Sequence, residues 1–259
     1  MAIKYLDAKR LQGTNAERLA LSTSYDIDNM SFVQYMDYSS YDARPHDVQL
    51  KPDGTKMYVM GYMPAGGNNG EISQFTLATP YDISTASLDT TLATDSYEND
   101  PTSLFIDSSG TRLIYTGRNA MKIHRFTIGD AWDLSSTITH VESSGAISGS
   151  SIWGLTFKPD GTKLYLDDNY TVSQYDISAW DISGLPTATT EWDSSEDSSI
   201  ADIEFNSDGS KMFAVGWEND RIYQYSVTSY ALSSASYDDV YFQLPTDYLN
   251  ASGFGFSKS

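Results

Sequence analysis

The chain has 259 residues, 40% hydrophobic and 13% aromatic, with 35 acidic and 16 basic side chains for a net charge of −19. That balance excludes nucleic acid as an expected partner, because phosphate binding needs clustered Lys and Arg. The absence of cysteine excludes disulfides, thiolate metal sites and a Cys nucleophile, and no apolar run approaches the roughly 18 residues of a membrane span.

Taken in order, the opening Met1-Ala2-Ile3-Lys4-Tyr5-Leu6-Asp7 carries no long apolar core. No ordinary secretory signal and no membrane insertion are expected. Lys4, Tyr5, Lys9 and Arg10 belong to the most basic local cluster of an acidic chain. Residues 1–14 therefore read either as a first strand or as an assembly arm against an acidic neighbour.

From residue 51 onward one unit recurs. Asp53-Gly54, Ser109-Gly110, Asp160-Gly161 and Asp208-Gly209 each lie between two short apolar runs, and supply the positive φ of a tight hairpin. The four glycines are 56, 51 and 48 residues apart. A second marker keeps step: Tyr81-Asp82-Ile83, Trp132-Asp133-Leu134, Trp180-Asp181-Ile182 and Tyr230-Ala231-Leu232, with aromatic spacings of 51, 48 and 50.

In the third unit, strands are predicted at Ile152–Lys158, Lys163–Leu166, Val172–Ile177 and about Thr187–Trp192. Four antiparallel strands per roughly 50 residues, repeated, is the arithmetic of β-propeller blades.

The ends complement each other. Tyr25-Asp26-Ile27 has the second marker without a preceding turn glycine, while Gly253-Phe254-Gly255-Phe256 resembles an innermost strand with nothing after it. The expected fold is thus an all-β, single-domain, five-bladed propeller over residues 1–259. Its last blade pairs the C-terminal strand with strands near Ile3–Leu6, Glu17–Leu21 and Ser31–Tyr38.

The unit Asp-Gly-Thr-Lys-Met-Tyr-Val, followed by Gln74-Phe75-Thr76-Leu77, Gln174-Tyr175-Asp176-Ile177 or Gln224-Tyr225-Ser226-Val227, distantly resembles TolB-like and YVTN-type propeller repeats. With Ser84-Thr85-Ala86-Ser87, it more closely resembles repeat proteins of marine tailed phages, including tail-fibre-like and other virion surface proteins. That resemblance implies a non-enzymatic structural or attachment role in a virion, made in the host cytoplasm. The implied partners are other virion proteins, copies of the chain, and a cell-surface glycan or protein receptor. It carries no catalytic residues across.

A carbohydrate-binding lectin and a lactonase or glycosidase are the alternatives. Chemistry is sparse. Only His46, His124 and His140 offer an imidazole. His124 reads as a solvent-facing strand residue, while His46 sits where an inner strand begins. Asp47 and Asp202 occupy similar inner-strand positions, the arrangement glycosidase carboxylates would need. No cofactor is expected; the acidic loops 95–100, 167–169 and 193–197 suit calcium in ligand type but lack the EF-hand spacing.

Recognition is expected on the face where the units differ, because variable loops on a rigid scaffold carry specificity. There Tyr62, Tyr170 and Trp217 suggest an aromatic platform, joined by Met63, Asn68, Asn69 and Asn219. Trp153 is expected between blades, and Tyr58, Tyr165 and Phe213 in the core.

Overall fold

The computed structural model describes residues 5–7, 15–21, 25, 27–42, 44–62, 70–148, 151–244 and 255–256; within strands, the first seven-residue strand and the two terminal ones are described in backbone alone. The chain begins with β1 (Tyr5–Asp7), β2 (Asn15–Leu21) and β3 (Met30–Asp37). Blade 1 follows as β4 (Pro45–Leu50), β5 (Lys56–Gly61), β6 (Glu71–Leu77) and β7 (Ala86–Ala93). Blade 2 is β8 (Pro101–Ile106), β9 (Arg112–Gly117), β10 (Ile123–Asp130) and β11 (Asp133–Ser143). Blade 3 is β12 (Gly154–Phe157), β13 (Lys163–Asp167), β14 (Val172–Asp176) and β15 (Thr190–Trp192). Blade 4 is β16 (Ile200–Phe205), β17 (Lys211–Gly216), β18 (Arg221–Thr228) and β19 (Ala231–Gln243), and β20 (Gly255–Phe256) ends the described chain.

Every sheet is an antiparallel four-strand meander, and the molecule is an all-β propeller. Four blades, rather than the expected five, are built from consecutive strands. The remaining four-stranded sheet has the order β20-β1-β2-β3 and draws on both chain ends, with Leu6 opposite Phe256 on one side and Leu19 on the other. The reason is the sequence itself: only four Asp-Gly or Ser-Gly hairpins exist to join a first strand to a second. Tyr5 lies in β1, so its backbone follows the strand reading of the opening segment; Lys4, Lys9 and Arg10 lie outside the described residues. Among the described residues no helix is long and apolar enough to cross a membrane.

The two sequence rhythms agree because the two markers touch. Each turn glycine has φ between +67° and +74°, and the marker aromatic of the same blade lies flat on it. The backbone N–H of each aromatic residue donates to the glycine carbonyl: Tyr81 to Gly54 and Trp132 to Gly110 at 2.9 Å, Trp180 to Gly161 and Tyr230 to Gly209 at 3.0 Å. The marker aromatics themselves adopt φ of +63° to +65°, a conformation L-residues take only when surroundings hold them there.

Second strands are buried on both sides, Met57–Gly61 and Leu113–Gly117 without interruption, whereas outer strands such as β7 alternate toward solvent. Blades are joined by buried polar bonds. The hydroxyl of Tyr58 donates to the Trp132 carbonyl at 2.6 Å, and that of Tyr165 to the Tyr230 carbonyl. The repeated glutamine has a job here: Gln74 Oε1 accepts from Leu134 N at 2.7 Å and Gln174 Oε1 from Leu232 N at 3.1 Å, each in a neighbouring blade. In blade 2 Arg125 stands at that position, and its ion-pair partner Glu142 accepts from Ile182 N instead. Tyr58, Tyr165 and Phe213 are core, as expected.

Candidate functional site

Innermost strands begin irregularly. The register shifts between Pro45 and Asp47, between Pro101 and Ser103, and between Ile200 and Asp202. A bulge adds one residue and re-aims its side chain. The added residues are His46, Thr102 and Ala201; Trp153 takes the matching place before β12, its N–H bonded to the Asp167 carbonyl at 2.8 Å. Thr102 is spent on the Ile152 carbonyl. His46 and Trp153 meet edge to face, with centroids 6.1 Å apart.

Loops after the second strands complete the cluster. Tyr62 stacks on His46 at 5.3 Å, and Trp217 lies 6.0 Å from Trp153 at 57°. Arg118 holds its guanidinium 4.5 Å from the Trp153 ring centre and 5.6 Å from that of Tyr62. Asp100 fixes it with a fork of bonds at 3.0 and 2.8 Å. Arg44 lies 5.5 Å from the Tyr62 ring and donates to its hydroxyl. Four blades thus contribute to one aromatic and cationic patch at the mouth of the axis.

Of the residues expected on a platform, Tyr62 and Trp217 are brought together. Tyr170 is 62% exposed and stands apart from the cluster. Asn219 points back instead, its backbone N and Nδ2 both 3.1 Å from Asp197 Oδ2. Met63, Asn68 and Asn69 lie outside the described residues. The sequence reading missed Arg118 and set Trp153 between blades. The recurring Pro45 and Pro101, each just before a bulge, were the available signal.

The acidic loops have another use. Glu98 accepts from the backbone N of Asp100 and Ala120 at 2.9 and 2.8 Å, and Asp197 from those of Ser199 and Asn219 at 3.1 Å. Asp168 does the same for Tyr170 and Thr171. These carboxylates stitch loops together by satisfying buried backbone donors. Among the described residues no group of three or more His, Asp or Glu could hold a metal ion.

Asp47 and Asp202 are both buried. Asp47 Oδ2 accepts from Ser103 Oγ at 2.9 Å and Leu104 N at 2.7 Å, so it ties blade 1 to blade 2. Asp202 neighbours Asp167 instead: a Cβ built on Gly154 would lie 2.9 Å from Asp202 Oδ1 and 3.3 Å from Asp167 Cβ. Burial, helped by the charges of Asp202 and Asp168, pushes the Asp167 carboxyl well above the ordinary range. Asp167 is therefore the member of this pair whose charged form burial most clearly disfavours.

The expectation that His124 faces solvent is wrong. Its ring is buried against Tyr97, Tyr115 and Ser143, because Tyr97, from the loop before β8, packs over that face of the sheet against His124, Phe126 and His140. Burial, and then the neighbouring His140, lower its pKa to about 4. Burial and then Arg118 lower that of His46 to about 4 as well. An unfolded His titrates near 6.5, so the unfolded chain binds more protons between those values. Stability is therefore expected to fall as pH drops from about 6.5 to about 4. His124→Gln should flatten that fall in denaturant titrations across the window. An unchanged slope would refute the assignment.

No protein-family model matches this sequence, and no curated protein matches it. Solved structures do. A Lactobacillus plantarum protein is 14% identical with a TM-score of 0.53, over 93% of this chain and 68% of its own. A Bacteroides fragilis protein proposed to be a 6-phosphogluconolactonase is 14% identical with a TM-score of 0.51, over 94% and 68%. The periplasmic gluconolactonase of Pseudomonas aeruginosa is 12% identical with a TM-score of 0.52, over 98% and 70%. At such identities the likeness shows the β-propeller fold and nothing finer.

Proposed function

We propose that this chain is a non-enzymatic recognition propeller, a single domain of five blades that serves as a structural or attachment protein on a phage-like virion. The observation that carries the recognition role is the convergence of His46, Tyr62, Arg118, Trp153 and Trp217, from four blades, onto one mouth of the axis. Flat rings held by bulges and by a clamped guanidinium present a preorganised surface, which reduces the ordering cost of binding. The virion setting rests on the repeat resemblance.

The fifth blade is the sheet β20-β1-β2-β3, and the marker aromatic Tyr25 supports it. Tyr25 has φ +57° and stacks on Phe213 of blade 4 at 6.3 Å. Trp132 meets Tyr58 of blade 1 in the same way at 6.0 Å.

Antibodies raised against the purified propeller should decorate the native particle in electron micrographs. Particles that stay bare while the chain is detected elsewhere would remove the virion reading. A lactonase-type reading has one observation of its own, the buried Asp167, its pKa raised, beside Asp202. Lactone or aryl-glycoside turnover lost in Asp202→Asn would replace the recognition reading with that one.

A further inference from the structure

The cluster at the mouth of the axis has a chemistry narrower than "aromatic". Its two arginines do not make it an anion site. Arg118 is held by both oxygens of Asp100, and Arg44 spends its guanidinium on the hydroxyl and ring of Tyr62. His46 is half-buried against Tyr62 and Trp153. The chain as a whole carries −19, so an approaching polyanion is repelled rather than steered.

What remains is a set of flat faces with a few directional donors. Trp153 and Trp217 meet at 57° with ring centres 6.0 Å apart, and Tyr62 stacks on His46. Beside these rings, His46 Nε2 is buried with no hydrogen-bond partner among the described residues. A buried polar atom left unpaired costs on the order of 1–3 kcal/mol, so a ligand that satisfies it gains accordingly. Arg118 uses Nε and Nη2 on Asp100, leaving Nη1 available.

We infer that this ring cluster is a subsite for one ring of an uncharged saccharide, with the pyranose C–H face on Trp153 and Trp217 and a hydroxyl directed to His46 Nε2. A hydroxyl both donates and accepts, so it satisfies either imidazole tautomer, which a carboxylate does not. Apolar ring faces with a few fixed polar groups are the usual make-up of a small-ligand site. Tyr62, which covers His46 and is tethered through its hydroxyl to Arg44, is the side chain that turns aside.

The inference rests on the recognition reading, and the test separates the two. An array of neutral oligosaccharides (maltohexaose, cellohexaose, chitotetraose) and acidic ones (alginate hexauronate) is probed with the purified chain. The best neutral ligand is then titrated calorimetrically. Binding is expected to a neutral oligosaccharide and to weaken by roughly tenfold in Trp153→Ala and in Trp217→Ala, the loss of one stacked face.

His46→Phe keeps the ring and removes Nε2, and should weaken binding without lowering the melting temperature. Trp217, on a loop, guards against a Trp153 variant that fails to fold. Binding only to alginate, no binding on the array, or neutral binding indifferent to all three substitutions would each overturn the inference. Particle decoration by the antibody would still stand in those cases, and a protein receptor would then be the ligand.

Discussion

Gly110→Ala is expected to lower the melting temperature by roughly 5–15 °C. The added methyl would sit 2.1 Å from Trp132 Cδ1 and 2.3 Å from Nε1, inside any permitted contact. The residue also has φ +71°, where an L-side chain costs roughly 1–2 kcal/mol. Overpacking against a ring that cannot retreat adds about 1–3 kcal/mol, and for a chain of this size each kcal/mol is worth roughly 2–4 °C. Trp132 has little room to retreat, because its ring is buried against Tyr58 and its backbone is pinned, the backbone N–H to the Gly110 carbonyl and the carbonyl by the Tyr58 hydroxyl.

A double-mutant cycle tests the clamp itself. Trp132→Ala alone should cost about 3–5 kcal/mol by emptying a buried site. In that background Gly110→Ala should retain only its backbone penalty, giving a coupling of about 1–3 kcal/mol. If Gly110→Ala costs the same with and without the indole, glycine and ring are not paired in the way described.

That pairing also explains why so much of the fold was legible. The glycine at positive φ and the aromatic that covers it are compositionally conspicuous, so their common rhythm announced the blades before any strand was drawn. Buried second strands such as Lys56–Gly61 and alternating outer ones such as Ala86–Ala93 followed from periodicity.

The site was less legible for a physical reason. His46 is aimed by an extra residue in a ladder and Trp153 stands just ahead of one, and a bulge changes direction without changing composition. Arg118 looked like an ordinary loop cation, since its partner Asp100 lies 18 residues away in sequence. His124 was misplaced because alternation along β10 says which residues share a face, and not that Tyr97 of a distant loop would pack over that face. The acidic loops misled in the other direction: carboxylates that looked available for a cation are committed to backbone N–H groups.

Removing residues 250–259 is the other substitution class with a large expected effect. It deletes β20, whose Phe256 and Gly255 pair with Leu6 and Asp7 of β1. The sheet it completes is wedged between neighbours on both sides. Ile27, Met30 and Tyr25 pack with Phe213, Val215 and Ile222 of blade 4. Tyr38 packs with Val48 and Phe75 of blade 1, its hydroxyl 2.8 Å from Ser73 Oγ. Without β20 the inner edge of β1 exposes unpaired backbone donors and acceptors.

If Phe254 and Phe256 of the deleted segment contribute roughly 1.5–3 kcal/mol each on burial, the truncated chain should melt about 10 °C lower. The loss should be largest in β1–β3, read by amide hydrogen exchange, with blades 2 and 3 least affected. A synthetic peptide spanning residues 250–259 should restore part of the stability in a concentration-dependent way, since a segment binding only the folded chain stabilises by mass action. A truncated chain that melts with the full one would mean that β20 does not hold β1 in place, and that the sheet is held by the packing of Tyr25, Ile27, Met30 and Tyr38 on its neighbours.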